Sequence, residues 1–238
     1  MEERPKNVPA PPHKMKLRTI TFTGVDEWTD VDQLEKLYRK YPMIEFGVLL
    51  STDHKENGNR FPDPSILERF EGRRIPLSAH LCGDLARKAI KNNFDPARNV
   101  CGGRFNLFTR CQLNVSTFSK IPKGFVLDIP EELEEVIIQQ SSDSMEFLDS
   151  TEPNSRLTLL FDNSGGRGLY TPFNPVPTNL KVGYAGGLNI DNIEHTIFLI
   201  EMDEDSGPYW LDMESSVRTD DKFDLDKVKA IMEKVFWT

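Results

Sequence analysis

The chain has 238 residues, 38% of them hydrophobic and 10% aromatic, which is enough apolar material for a sizeable core and excludes global disorder. Its 38 Asp and Glu against 29 Lys and Arg give a net charge of −9, a field that repels phosphate polymers and argues against nucleic acid as a partner. No run approaches the roughly eighteen apolar residues of a membrane span, the first residues carry no apolar leader segment, and three cysteines without a C-x-x-C pair suit a reducing compartment; a cytoplasmic protein that binds no membrane is expected.

Met1 to Lys14 holds four prolines and almost no apolar residues, which predicts a disordered tail over 1–14 ahead of a single domain over 15–238. Beyond it, apolar β-rich runs alternate with amphipathic stretches, the pattern of βα units around a parallel sheet. Strands are predicted at Leu17–Phe22, Ile44–Leu50, Ile75–Leu81, Leu107–Asn114, Val136–Gln140, Leu157–Phe161, Lys181–Tyr184 and Tyr209–Met213. Asp30 is placed to cap a helix over Val31–Lys40, with Leu34, Leu37, Tyr38 and Tyr41 toward the sheet. Asp224 is placed to cap a last helix striped by Leu225, Val228, Met232 and Val235. Between the sixth and seventh strands, LYTPFNPVPTNL carries three prolines, so one helix is expected to be missing or replaced by a loop. Eight strands with mostly helical crossovers predict an α/β protein built as a closed (β/α)8 TIM barrel rather than an open doubly wound sheet.

In such a barrel the reactive groups sit at the carboxyl ends of the strands. The polar residues there are Thr23 after the first strand, Arg60 after the second, His80 and Cys82 at the third, and Gln112 and Asn114 at the fourth. Gln139 and Gln140 end the fifth, Asp162 follows the sixth, and Asp212 with Glu214, Ser215 and Ser216 closes the eighth. Glycine turns follow the sixth and seventh strands, and Gly186, Gly187, Ser215 and Ser216 offer backbone amides and hydroxyls for a phosphate, with Arg218 nearby. Tight turns alone would also use these glycines. Asp162 ends a continuous apolar strand just before a glycine turn, the setting of a buried proton donor, although an Asp that only stabilises the turn would sit there too. Glu131 to Glu135 reads as a solvated acidic face.

Three ordered motifs, LLFDNSGGRG, YAGGLNIDNI and LDMESSVRTDDKFDLDKVKAI, resemble phosphoribosylanthranilate isomerases, whose corresponding segments read LLD before a GGTG-like turn, AGGL, and DVSSGVE before a helix. More weakly, TFTGVDEWTD is similar to that family's KICGIT opening, GVLLST followed by NRFPDPS to its second strand with an arginine, and CQLNVS to its QLHG. The resemblance implies that Asp162 is a general acid, that Arg60 faces a substrate carboxylate, that Thr23, Gln112 and Asn114 border the substrate, and that Gly186, Gly187, Ser215 and Ser216 hold a phosphate. The departures are as informative. Thr23 stands where the family has its catalytic cysteine, and an unaided hydroxyl is too weak a base to take a proton from carbon. Glu214 enters the phosphate segment, and Asn114 replaces a histidine.

His80 and Cys82, two residues apart, share a strand face, and such a pair could replace the missing base. Burial as ordinary core residues is the competing reading. No metal site and no cofactor are expected, since the chemistry is proton transfer. The sequence therefore points to a barrel that binds a small phosphorylated or otherwise anionic molecule, with isomerase-like acid/base chemistry on Asp162. The alternatives are a barrel that binds its ligand without catalysis, or a lyase or hydrolase using His80 and Cys82.

Overall fold

The structure, a computed structural model, describes residues 16–52, 60–114, 126–139, 155–162, 181–204 and 206–236. The expected tail over 1–14 and the expected loop after the sixth strand lie outside these residues.

Eight parallel strands form a closed barrel in chain order: β1 (Leu17–Thr23), β2 (Ile44–Leu50), β3 (Leu77–Leu81), β4 (Arg110–Leu113), β5 (Glu135–Gln139), β6 (Leu157–Asp162), β7 (Val182–Ala185) and β8 (Tyr209–Met213). β8 pairs back onto β1, with Thr21 opposite Asp212, and this closes the ring. Helices α1 (Val31–Lys40), α2 (Gly83–Ala89), α3 (Asp95–Val100), α4 (Ile193–Met202) and α5 (Leu225–Phe236) accompany the strands, and the fold is a (β/α)8 barrel. A short antiparallel pair, β9 (Arg218–Thr219) and β10 (Lys222–Phe223), follows β8. Its turn residues Asp220 and Asp221 adopt positive φ, which aspartate tolerates better than most residues. Among the described residues no helix is long and apolar enough to cross a membrane.

The local chemistry accounts for the elements. Asp30 Oδ1 accepts from the amides of Asp32 and Gln33 at 3.0 and 3.2 Å, so α1 starts where the cap was expected. Its apolar stripe Val31, Leu34 and Leu37 is buried, with Tyr41 just beyond the helix, while Tyr38 is half-buried. Asp224 caps α5 in the same way, and Val228, Ile231 and Met232 face the core. β2 is buried at every position, as a parallel strand covered on both faces must be. Two strands begin later than the sequence suggests. Pro76 has no amide to donate, and the β3 ladder starts at Leu77. Gly102 and Gly103 adopt positive φ and Phe105–Leu107 forms a 3-10 turn, so β4 starts only at Arg110.

The floor of the barrel is polar. Arg110 on β4 reaches across the interior to Glu45 on β2, with Nη1 donating to Oε1 at 2.9 Å, and to Glu135 on β5, with Nε donating to Oε2 at 2.9 Å. Thr21 donates to the same Glu45 oxygen at 2.8 Å. The guanidinium lies 4.4 Å from the Trp210 ring centroid, and that indole occupies the space over Gly183, where a Cβ would come within 2.1 Å of Cε2. Large and small side chains thus interlock at the bottom and leave the upper interior open. Replacing Arg110 with methionine removes the cation that pairs with buried Glu45 among the described residues, and should cost about 3–5 kcal/mol, read as a lower urea midpoint with an unchanged m-value.

Candidate functional site

A cavity of about 550 Å³ opens at the carboxyl ends of the strands. His80, Cys82, Gln112, Asn114 and Asp162 line it, together with Gly186, Gly187 and Ser215 and with Arg60 from the segment after β2. Of the residues singled out in the sequence, Thr23 and Ser216 do not reach it. Thr23 is buried directly behind the wall, and Ser216 borders an adjoining cavity of about 480 Å³ that shares Gly187, Leu188 and Ser215 with the first.

Two carboxyl groups face the cavity from alternate strands. Asp162 ends β6 and accepts from Gln139 Nε2 at 2.9 Å. Asp212 on β8 is 8% exposed and accepts from the Thr23 hydroxyl at 2.7 Å. Burial pushes the Asp212 carboxyl up to about 7, the Thr23 hydrogen bond offsets part of that rise, and the charges of Glu214, Glu45 and Asp162 add to it. Asp212 is the residue whose importance the sequence reading missed. Its signal was present, because Trp210 and Asp212 alternate along β8 and a charged residue at an inward position needs a reason.

His80 and Cys82 have the opposite tendency to the one expected of them. His80 is 2% exposed, and burial, followed by the charges of Arg110 and Arg60, pushes its imidazole down to about 3. Burial raises the Cys82 thiol, while the hydrogen bond from Asn114 and the nearby Arg60 charge lower it in part. The pair is neutral near pH 7, and this argues against a thiolate beside an imidazolium. Cys82 instead ends a chain of neutral hydrogen bonds, Gln112 Nε2 to Asn114 Oδ1 at 2.8 Å and Asn114 Nδ2 to Cys82 Sγ at 3.3 Å. The His80 Nε2 atom is buried and has no partner among the described residues.

Both arginines at the cavity already have partners. Arg60 grips Glu214 at two points, with Nη2 donating to Oε2 at 2.8 Å and Nε to Oε1. Arg218 donates to the Gly24 carbonyl at 2.8 Å, to the Asp221 carbonyl and to the buried Asp26 carboxylate, which also accepts from the Phe223 amide at 2.7 Å. Those bonds brace the barrel mouth, and Arg218 also lines the cavity. Gly24, at a φ of +114°, makes room for it: a Cβ there would lie 2.7 Å from Nη1. The turn after β7 uses positive φ at Gly186 and Gly187, and the Gly187 carbonyl accepts from the side chains of Asn189 and Asn192 at 3.1 and 2.9 Å. Among the described residues no three His, Cys, Asp or Glu side chains are grouped to hold a metal.

The family model of N-(5'phosphoribosyl)anthranilate (PRA) isomerase matches residues 121–234 of the chain. The N-(5'-phosphoribosyl)anthranilate isomerase of Pyrococcus furiosus superposes with a TM-score of 0.54 at 16% identity, covering 92% of this chain and 99% of that one. The phosphoribosyl anthranilate isomerase of Thermococcus kodakaraensis gives a TM-score of 0.53 at the same 16% identity and the same coverage. The chain thus shares the barrel fold of these enzymes, and its C-terminal half matches their family model. A search of the curated proteins finds no match.

Thr23, which stands where the resemblance would put a cysteine, donates its hydroxyl to Asp212. The raised Asp212 carboxyl has a consequence for stability. Between about pH 4 and 7 the folded chain holds a proton on Asp212 that the unfolded chain has lost, so stability from this group falls as the pH rises through that window and levels off above it. Asp212→Asn removes the dependence. Its stability advantage over the native chain should grow from pH 4 to 7, to at most about 4 kcal/mol, in urea titrations at a series of pH values.

Proposed function

We propose that the barrel binds a small phosphorylated metabolite and isomerises it by proton transfer, with Asp212 taking the proton and Asp162 giving one. The observation that carries this reading is the pair of carboxyl groups on β6 and β8 that face one cavity, one of them buried and held by Thr23. An isomerisation without net redox change needs one group to remove a proton and another to return one at a different atom, and no cofactor is required. A base that titrates at about 7 is matched to neutral solution, being ionised often enough to act and basic enough to accept a proton from carbon. Thr23 serves Asp212 by fixing its orientation. The Thr23 side chain is itself fixed, since a Cβ at Gly47 would lie 2.3 Å from Oγ1.

The phosphate end of the ligand belongs, in this reading, to the smaller adjoining cavity. Gly187, Ser215 and Ser216 border it and supply amides and hydroxyls, and Lys227 supplies a cation whose ammonium donates to the Arg218 carbonyl at 2.6 Å. The Ser216 hydroxyl is buried and lacks a partner among the described residues. The solved relatives are named for isomerising a phosphoribosylated aryl amine, and the same reaction type is proposed here on a related substrate.

The test is nuclear magnetic resonance in deuterium oxide with N-(5'-phosphoribosyl) derivatives of aniline and anthranilate. Deuterium should enter the product at the carbon that gains a proton, next to the one that loses it. The rate should rise with pH through about 7 as Asp212 ionises. Asp212→Asn and Asp162→Asn should each lower it by about 10²–10⁴-fold, and Asp212→Asn should also flatten the pH profile. Turnover unchanged in either variant would remove that carboxyl group from the mechanism. Tight phosphate binding with no exchange would favour a ligand-binding barrel without catalysis, a reading supported by Thr23 at the base position.

A further inference from the structure

The charges around the main cavity are distributed unevenly. Two guanidinium groups, Arg60 and Arg218, face four carboxyl groups, Asp162, Asp212, Glu214 and Asp221, among the described lining residues. Arg218 is committed to the backbone and to buried Asp26. Arg60 is the cation placed to meet the far end of a ligand, and the Nε–Nη2 edge of its guanidinium is taken by Glu214, whose charge it pairs. Such a two-point grip is how an arginine binds any carboxylate.

Glu214 stays near Arg60 wherever its side chain turns. It directly follows β8, and its carbonyl accepts from the Val217 amide at 3.2 Å in the short 3-10 turn, so its backbone keeps the carboxylate at the cavity rim. A ligand carboxylate that displaced it would still have the Glu214 charge beside it at the rim of the cavity, and like charges in contact weaken binding. The remaining groups at that end are uncharged: His80, with its buried unpartnered Nε2, the amides of Gln112 and Asn114, and the Phe61 ring lying 5.8 Å from the Arg60 guanidinium carbon. Lys227, by contrast, borders the adjoining cavity with Ser215 and Ser216.

We infer that the ligand is charged at one end only: a phosphate monoester whose other end, lodged between Arg60 and His80, is an uncharged polar or aromatic group, because Glu214 already pairs the Arg60 charge and repels a second carboxylate there. The inference rests on the phosphate reading above and narrows its substrate class. It sets the chain apart from an enzyme whose substrate carries an anthranilate carboxylate.

The experiment compares three probes by calorimetric titration on the native chain and on Glu214→Gln: phenyl phosphate, 4-carboxyphenyl phosphate, and benzoate. The two phosphates differ only in the carboxylate. The native chain should bind phenyl phosphate at least about tenfold more tightly than its carboxylated partner, and Glu214→Gln should close that gap by a gain on the carboxylated probe. Equal or tighter binding of 4-carboxyphenyl phosphate by the native chain, or a ratio that Glu214→Gln leaves unchanged, overturns the inference and leaves the phosphate reading standing. If neither phosphate binds the native chain, the phosphate reading falls, and benzoate decides the role of Glu214. At least about tenfold tighter benzoate binding by Glu214→Gln than by the native chain supports a carboxylate place already filled, and equal binding overturns it.

Discussion

A closed parallel barrel buries the inner face of every strand, so each polar group on that face needs a partner inside the ring. Here that requirement is met at the floor by one arginine. Arg110 joins Glu45 and Glu135 across strands that are not neighbours, under the ring of Trp210. With the floor filled by this cluster, open space is confined to the upper end of the barrel. The position of the cavity is thus a packing result before it is a chemical one, and the side chains one pleat higher on each strand, His80, Gln112 and Asp212, become its lining.

The same scarcity of water acts on His80, Asp212 and, beyond that layer, Cys82, and in each case it favours the neutral form. For an imidazole and a thiol the result is inertness near neutral pH, because His80 is pushed down and Cys82 up, away from the range where they would exchange protons. For a carboxyl group the shift has the opposite effect, since Asp212 is carried from the acid range to about 7. One environment therefore keeps two residues neutral and moves a third toward neutral pH. The Thr23 hydroxyl donates to that carboxyl group on the neighbouring strand.

Much of the architecture was legible because the periodicities that build it are local. β2, β8 and α1 begin and end where their apolar patterns do, and Asp30 and Asp224 cap the helices they precede. Pro76 and the Gly102-Gly103 pair delay two strands by removing a donor and by bending the backbone, effects that a run of apolar residues conceals. The cavity lining was partly legible as well, since a parallel barrel delivers every strand's carboxyl end to one face. The partners were not. Arg60 and Glu214 are separated by 154 positions, and nothing local in either segment shows that they meet. The charge state of His80 was equally hidden, because it depends on Arg110 and on burial rather than on its neighbours in the chain.

Thr23 and Asp212 belong to the first and last strands of the ring, and their hydrogen bond crosses the seam where the barrel joins itself. Arg218, Asp26 and Phe223 stitch the same seam from the outside. A partly assembled chain, lacking that joint, has both residues but not the pair. The pairing of the Thr23 hydroxyl with the Asp212 carboxyl is accordingly a property of the finished circle, acquired in the step that turns an open sheet into a barrel.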